Sequence, residues 1–420
     1  MIGTLNPQDK RATIIGAGIS GLLIGYVLKK KGYQVTIHEK SNRCGGLIQT
    51  KHTSHGIVEA AAHSLLVNEI VQEFMDELGV ELLPVNPDSK ARYIYRKGKM
   101  RRMPLTFFEL ISTFFHLFRK PKLPVPLKDL NLEQWGNAYL GTSATQYLLA
   151  PFTSGIFACT PRELNTRLSF PKLLPGAPTI SLFQHIRTLR RKPKSVRPRM
   201  MALKNGMEDL IQNLHLSLQN EIHLNSEITD LKSIKGNLIL SVPSNTLGDL
   251  LKTNSATMIE RLPEIRYSPL ITATVFYAGD SFKNKAPHGV GVLIPRGEGL
   301  RMLGCLFSSS AFSGRTEMKN EVSLTVMLGG TQDPDALNLS NPEISALIEK
   351  ELSILLKTKN PPTYIEITQQ QRAVPIYSSE LTLYIDKISR TFCSNPGKII
   401  FSNFSGQVSI RGMIETAHHL

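Results

Sequence analysis

Ala12-Thr13-Ile14-Ile15-Gly16-Ala17-Gly18-Ile19-Ser20-Gly21, followed by Glu39 and then by Arg43-Cys44-Gly45-Gly46, is the stretch whose reading decides the fold. Residues 12–15 are a short apolar run, suited to a buried parallel strand. Gly16 permits a tight turn, Gly18 lets a ligand come close to the backbone, and Gly21 lets the next helix pack against the strand. A helix is expected over residues 18–31, with Leu22, Leu23, Val27 and Leu28 on its buried face. Lys29, Lys30 and Lys31 fall at its C-terminal end, where the dipole favours cations, and Gly32 caps it. A second strand follows over residues 34–39.

This order of elements is a dinucleotide pocket. The helix N-terminus at Gly18, Ile19 and Ser20 aims its amides at a pyrophosphate. Glu39 falls about 20 residues after the glycines, where an acid accepts hydrogen bonds from ribose hydroxyls, with Lys40 beside it. Arg43, Gly45 and Gly46 add a cation and bare backbone at a second point of contact, which favours a flavin over a nicotinamide; taken alone they would be an ordinary turn.

The chain has 420 residues, enough for two domains or one elaborated domain, and its hydrophobic fraction of 41% supports a sizeable core. Cys44, Cys159, Cys305 and Cys393 are too widely spaced for a paired metal or redox motif, so no metal site is expected and the thiols are expected reduced. No signal-peptide pattern and no apolar run long enough to span a bilayer is present, and a cytoplasmic setting is expected. The net charge of +15 allows nucleic acid, an anionic membrane or an anionic substrate as partner. Basic clusters lie at 92–102 and 187–199, the second containing Arg190, Arg191, Lys192, Lys194 and Arg197. Between them, residues 105–118 form an aromatic-rich segment followed by Arg119 and Lys120. Such a helix suits the membrane interface better than a span; a core helix with solvated flanks is the other reading. Nucleic acid is disfavoured, because no helix-turn-helix, zinc or stacking motif accompanies the charge.

The α/β character of residues 1–90 returns at 196–265, with a helix at 206–218 and strands at 221–228 and 238–242. Residues 91–195 read as mostly helical. Strands dominate 266–375, at 271–277, 290–295, 302–307 and 323–329, under a helix at 342–356. The last segment has a strand at 398–402, a turn and a short helix. The expected architecture is therefore α/β. A Rossmann-like nucleotide domain is assembled from 1–90, 196–265 and 376–420, with a mixed-sheet substrate domain at 266–375 and a helical, membrane-associated insertion at 91–195.

Laid out in this way, the chain resembles the flavin-dependent protoporphyrinogen oxidases, a branch of the flavin amine-oxidase superfamily, over nearly its whole length. The glycine turn, Glu39 and Arg43-Cys44-Gly45-Gly46 are similar to the superfamily's FAD signature. Further likenesses lie at 92–104, at 154–158 with Arg162-Glu163-Leu164, at 289–295, at 326–330 and at Ala373-Val374-Pro375-Ile376-Tyr377. The resemblance implies oxidation of a porphyrinogen in haem synthesis: protoporphyrinogen IX to protoporphyrin IX, with hydride passing from a bridge carbon to FAD. Coproporphyrinogen, another oxidoreductase substrate of the superfamily, and a flavin-free homologue binding a tetrapyrrole or a partner protein are the alternatives. No strong protein base is needed, because the product gains aromaticity and ring nitrogens shed protons. No Ser/His/Asp set, paired catalytic carboxylates or HExxH motif appears, so no catalytic side chain is assigned.

The resemblance also implies site residues. Arg92 would hold a substrate propionate, while Leu293, Val290 and Met327 would pack on the macrocycle; strand core is the other fate for these three. Gly155 would leave room for the ring. Ile228 would meet the adenine, and Val408, Ser409 and Ile410 would belong to the C-terminal flavin segment. The chain departs from the family pattern at Ala61-Ala62 after Glu59, at Asn205, Val290 and Gly412, and at Ser402, Gln407 and Ala417, which stand where glycines are usual. Oxygen or a quinone as electron acceptor, peripheral contact with the inner face of the cell membrane, and a homodimer are the remaining expectations.

Overall fold

The computed structural model describes residues 1–177, 179–190, 197–254, 262–406 and 408–420. Its first sheet is wholly parallel. Arg11–Ile15 (β1) lies at its centre, between Gln34–His38 (β2) and Asn237–Leu240 (β11). Ile222–His223 (β10) flanks β2, and Lys398–Ile400 (β17) flanks β11. Ile14, Ile37, Ile239 and Ile399 stand in register across these strands with no solvent exposure, which is why the strands read as continuous apolar runs. Ile19–Lys30 (α1), Glu208–Ser217 (α5) and Ile410–His418 (α7) contribute Leu22, Leu214 and Met413 to the core on one face. Strands separated by nearly 400 residues thus build one sheet, and β1 and β11 end together at the crevice where nucleotides bind such folds.

The second sheet has seven strands. Tyr364–Pro375 (β16), Tyr267–Ala278 (β12), Glu321–Gly329 (β15), Gly304–Leu306 (β14) and Gly291–Leu293 (β13) are antiparallel neighbours. Arg92–Arg96 (β7) then pairs parallel to β13, and Lys99–Arg101 (β8) closes the edge. One face of this mixed sheet buries Ala273, Val292, Cys305 and Val326 against Ile344, Ile348 and Leu352 of Asn341–Leu356 (α6). On the opposite face Thr272, Thr274, Ser323 and Thr325 are buried, Ile94, Leu293 and Met327 are half-buried, and Arg92 is exposed. Residues 92–101, read above with the helical segment, are sheet because Lys97 and Gly98 both take positive φ, which makes the tight turn of a hairpin. The expected strand at 221–228 is reduced to β10, because Asn225 turns left-handed and the chain bonds Ser41 and Glu39 instead.

Two small sheets link these parts: Thr50–His52 (β3) with Ile57–Glu59 (β4), and Leu65–Val67 (β5) and Leu82–Pro84 (β6) on either side of Arg199–Leu203 (β9). The insertion between β8 and β9 is helical. It includes Phe107–Phe118 (α2), Ala150–Phe157 (α3) and Leu182–Arg190 (α4). Helix α2 buries no residue, so it is not the core helix that its apolar composition also allowed. Phe107, Phe108, Phe114 and Phe115 are 57–80% exposed. Among the described residues no helix is long and apolar enough to cross a membrane. Among them too, all four cysteines are free and no group of side chains is arranged to hold a metal.

Candidate active site

The glycine turn does what its spacing demands. Gly16 has φ +100°, its N–H donates to His38 O at 2.8 Å, and a Cβ there would lie 2.6 Å from Ser241 O. A Cβ on Gly21 would lie 1.9 Å from Gly16 O, so α1 packs on the turn only because Gly21 has no side chain. Gly18 differs: a Cβ there would meet nothing within 4 Å. No side chain caps α1, and no acid occupies its first turn. Gly45 N donates to Ala17 O at 2.9 Å and brings the second glycine pair against the first, with a Cβ on Gly46 falling 3.4 Å from Gly18 Cα. The carboxylate of Glu39 accepts from Ala17 N at 2.8 Å and from Ser41 N and Oγ at 2.9 and 2.8 Å. A carboxylate has about four acceptor positions, so capacity remains for a ribose hydroxyl.

These residues line a cavity of about 670 Å³. Gly16, Gly18, Ile19, Ser20, Glu39, Lys40, Gly45, Gly46 and Ile228 lie on its wall. The other residues assigned to the cofactor are not among its lining. Gly21 packs beneath the turn. Arg43 is spent on carbonyls, donating to Cys44 O at 2.8 Å and to Gly46 O at 2.7 Å. Val408 and Ile410 pack against opposite hydrophobic cores, and Ser409 Oγ accepts from Gly412 N as the N-cap of α7. Ser402 and Asn403 represent the C-terminal segment in the cavity wall instead.

The departures at glycine positions leave the cradle open where they can be seen. Ser402 Oγ turns away to donate to Val242 O at 3.1 Å, and Ala417 is buried in α7. Asn205 bonds Asp209, while Gln407 lies outside the described residues. The donor set, the open space over Gly18 and the acid at Glu39 therefore fit an adenine dinucleotide.

Sequence reasoning missed much of the far wall: Ile48, Tyr267 and residues 369–372. The available signal was Ser241-Val242-Pro243, which follows a strand and sits on the cavity wall where β11 meets β1. Beyond the cavity, Gln370 Nε2 donates to Ala60 O at 3.1 Å. There Glu59 is buried, and burial pushes its carboxyl up to about 7, although Thr50 Oγ1 and Met207 N both donate to it at 2.8 Å. Arg315 lies buried nearby and donates to Leu203 O at 2.6 Å. Burial lowers His63 to about 4, and its Nε2 is buried with no hydrogen-bond partner among the described residues.

The face of the seven-stranded sheet away from α6 carries most of the residues assigned to substrate. Ile94, Leu293, Gly304, Met327 and Thr272 form one row across β7, β13, β14, β15 and β12. Arg92 lies two residues along β7 on the same face, exposed, with Nη2 3.7 Å from Met200 Sδ. Among the described residues no carboxylate pairs with it. Gly155 in α3, expected to leave room for the ring, packs on this face instead: a Cβ would come within 2.9 Å of Leu293 Cδ2. Val290 is buried ahead of β13.

The model of the flavin containing amine oxidoreductases matches residues 19–375. The chain belongs to this family. The family and the cradle together specify FAD as cofactor, and the protein is an FAD-dependent oxidoreductase. Similar curated proteins include protoporphyrinogen oxidase 2, chloroplastic/mitochondrial, of Arabidopsis thaliana, 26% identical over 96% of this chain and 91% of that protein. Bos taurus protoporphyrinogen oxidase is 24% identical over 88% of this chain and 89% of its own length. Among solved structures, a provisionally named protoporphyrinogen oxidase from Exiguobacterium sp. 255-15 superposes with a TM-score of 0.79 at 17% identity, covering 99% of this chain and 98% of that one. Reduced UDP-galactopyranose mutase superposes with a TM-score of 0.72 at 14% identity, covering 97% and 93%. These two likenesses are of fold.

Proposed function

We propose that this enzyme oxidises protoporphyrinogen IX to protoporphyrin IX. The observation that carries the reading is the pairing of an apolar row with a cation on one sheet face. Half-buried Ile94, Leu293 and Met327 have at their margin an exposed guanidinium, Arg92, with no carboxylate partner among the described residues, and the sheet that bears them continues into the FAD cavity through Gln370. A flat apolar ring with carboxylate tails matches those two demands together. An amine substrate would call for the opposite charge at the margin. The names of the curated relatives agree with this choice.

Each residue then has a task. Arg92 can grip one propionate with two parallel N–H···O bonds, which fixes the in-plane rotation of the ring. Leu293 and Met327 cover the ring face and exclude water. Gly155 lets α3 pack directly on Leu293, which walls the site at that residue. Gly18, Ile19 and Ser20 present backbone amides for the diphosphate, and Glu39 serves the ribose. FAD, when bound, would supply each of the three two-electron oxidations that the six-hydrogen loss requires, being reoxidised by the acceptor between them. The protein's work is orientation and desolvation.

Helix α2 is the proposed contact with the inner face of the cell membrane. Its exposed phenylalanines, with Arg119 and Lys120 beyond its end, would seat in the headgroup region of an anionic leaflet. Oxygen or a quinone is the proposed electron acceptor. Anaerobic addition of protoporphyrinogen IX should bleach the flavin and yield porphyrin fluorescence. Coproporphyrinogen and simple amines should leave the flavin yellow, and the reverse pattern refutes the proposal.

A further inference from the structure

The geometry points to Arg96 as a positioning residue that ties the exposed helix α2 to the strand carrying Arg92, an inference that rests on the porphyrinogen reading above. Arg92 and Arg96 are the two ends of β7, about 13 Å apart along the strand. Strand β7 lies one strand in from the edge of its sheet. Three residue pairs join it to β13 on one side, and its other neighbour is the outermost strand, β8. Outside the sheet, Tyr95 packs into the core on the α6 side, and Arg96 ties the strand's far end to α2.

Arg96 is 7% exposed. Its Nη1 donates to Pro104 O at 2.6 Å and to Glu109 Oε2 at 2.7 Å, and its Nη2 donates to Glu109 Oε1 at 2.8 Å. The guanidinium lies 3.6 Å from the ring centroid of Tyr147. Glu109 is also the acid of the capping box of α2, its Oε2 accepting from Thr106 N at 2.7 Å and from Thr106 Oγ1 at 2.9 Å. One carboxylate therefore completes the N-terminus of α2 and grips β7 at once.

The link matters because α2 buries no residue fully, and Leu117 packs only half-buried against the core. At its other end Phe118 stacks on Phe183 of α4, which is itself 45% exposed. Tyr147 belongs to Thr145–Leu149, a single π-helical turn that leads directly into α3, where Gly155 meets Leu293. Such turns are frequent at functional positions. Arg96 is thus the junction of the strand with Arg92, the exposed helix, and the segment that covers the apolar row. A forked guanidinium–carboxylate pair fixes distance and angle together, which a lysine ammonium does not. A shift at the start of α2 is passed to the end of β7 and so to the direction of Arg92.

The test uses the flavin-loaded enzyme and protoporphyrinogen IX. Arg96→Lys and Glu109→Gln should each raise KM about fivefold while kcat stays within about twofold, at unchanged flavin content. In an Arg92→Ala background, either change should add less than about twofold, because the group being aimed is gone. Effects that multiply across the two sites, or variants indistinguishable from the parent, overturn the positioning role and leave the substrate assignment intact. If Arg96→Lys fails to fold, Glu109→Gln carries the test, since a glutamine retains an acceptor for Thr106. A parent enzyme that binds FAD yet is not reduced by protoporphyrinogen IX overturns the substrate assignment, and this role falls with it.

Discussion

Substituting Gly18 by alanine isolates the cofactor from the fold. Gly18 has φ −67° and ψ 175°, extended backbone that any residue adopts, so alanine brings no strain. Its Cβ would meet nothing within 4 Å, so it displaces no protein atom. The stability of the flavin-free protein should therefore stay within about 0.5 kcal/mol of the parent. The same methyl group projects into the space where the diphosphate must approach the start of α1. Forcing one extra carbon into a well-packed contact costs about 1–3 kcal/mol, which predicts roughly a 5- to 150-fold loss of FAD affinity. Gly21→Ala is the contrast. Its Cβ lies 1.9 Å from Gly16 O, so helix and turn must part and the flavin-free protein itself should lose about 3 kcal/mol or more. Chemical denaturation of both flavin-free variants, with FAD titrations followed by flavin fluorescence, separates the two effects. An unchanged FAD affinity in Gly18→Ala would show that the diphosphate does not lie over the glycine turn. A large loss of flavin-free stability in the same variant would show that the space above Gly18 is not free.

Other outcomes follow from the same geometry. Arg92→Ala should raise KM for protoporphyrinogen IX about thirtyfold, the worth of a charge-assisted pair of about 2 kcal/mol, with flavin content unchanged by absorbance; equal kinetics would remove Arg92 from the site. Glu59 is held at about 7 by burial, above its unfolded value, so the folded state binds the extra proton at intermediate pH. Its contribution to stability should thus decline as pH rises from about 4.5 to about 7, and Glu59→Gln should flatten that slope in denaturant titrations. Replacing Phe107, Phe108 and Phe115 by serine should abolish flotation with acidic liposomes at low salt, to which the flanking cations add about 1 kcal/mol each, and leave the melting temperature nearly unchanged because these rings are 66–80% exposed.

The nucleotide half was legible because its chemistry is local. Gly16, Gly18, Gly21 and Glu39 are needed at fixed offsets along one strand–turn–helix–strand unit, and any chain that makes that unit spells it contiguously. The candidate substrate face was partly legible: Arg92, Leu293 and Met327 came from resemblance, and the strand register then set them on one face. Val408, Ser409 and Ile410 also came from resemblance; they are not on the cavity wall, which Ser402 and Asn403 reach from the end of β17, and Ser409 is the N-cap of α7.

What the sequence by itself determined is the turn that can accept a diphosphate, the acid that can serve a ribose, and the apolar periods of the two sheets. What only the tertiary structure decided is which distant segments meet there: Gln370 against Ala60, Arg96 against Glu109 and Tyr147, Ser402 against Val242. The physical reason is that backbone turns and strand periods are set by neighbours along the chain. Contacts between residues hundreds of positions apart are instead set by strand pairing and by burial of the whole core.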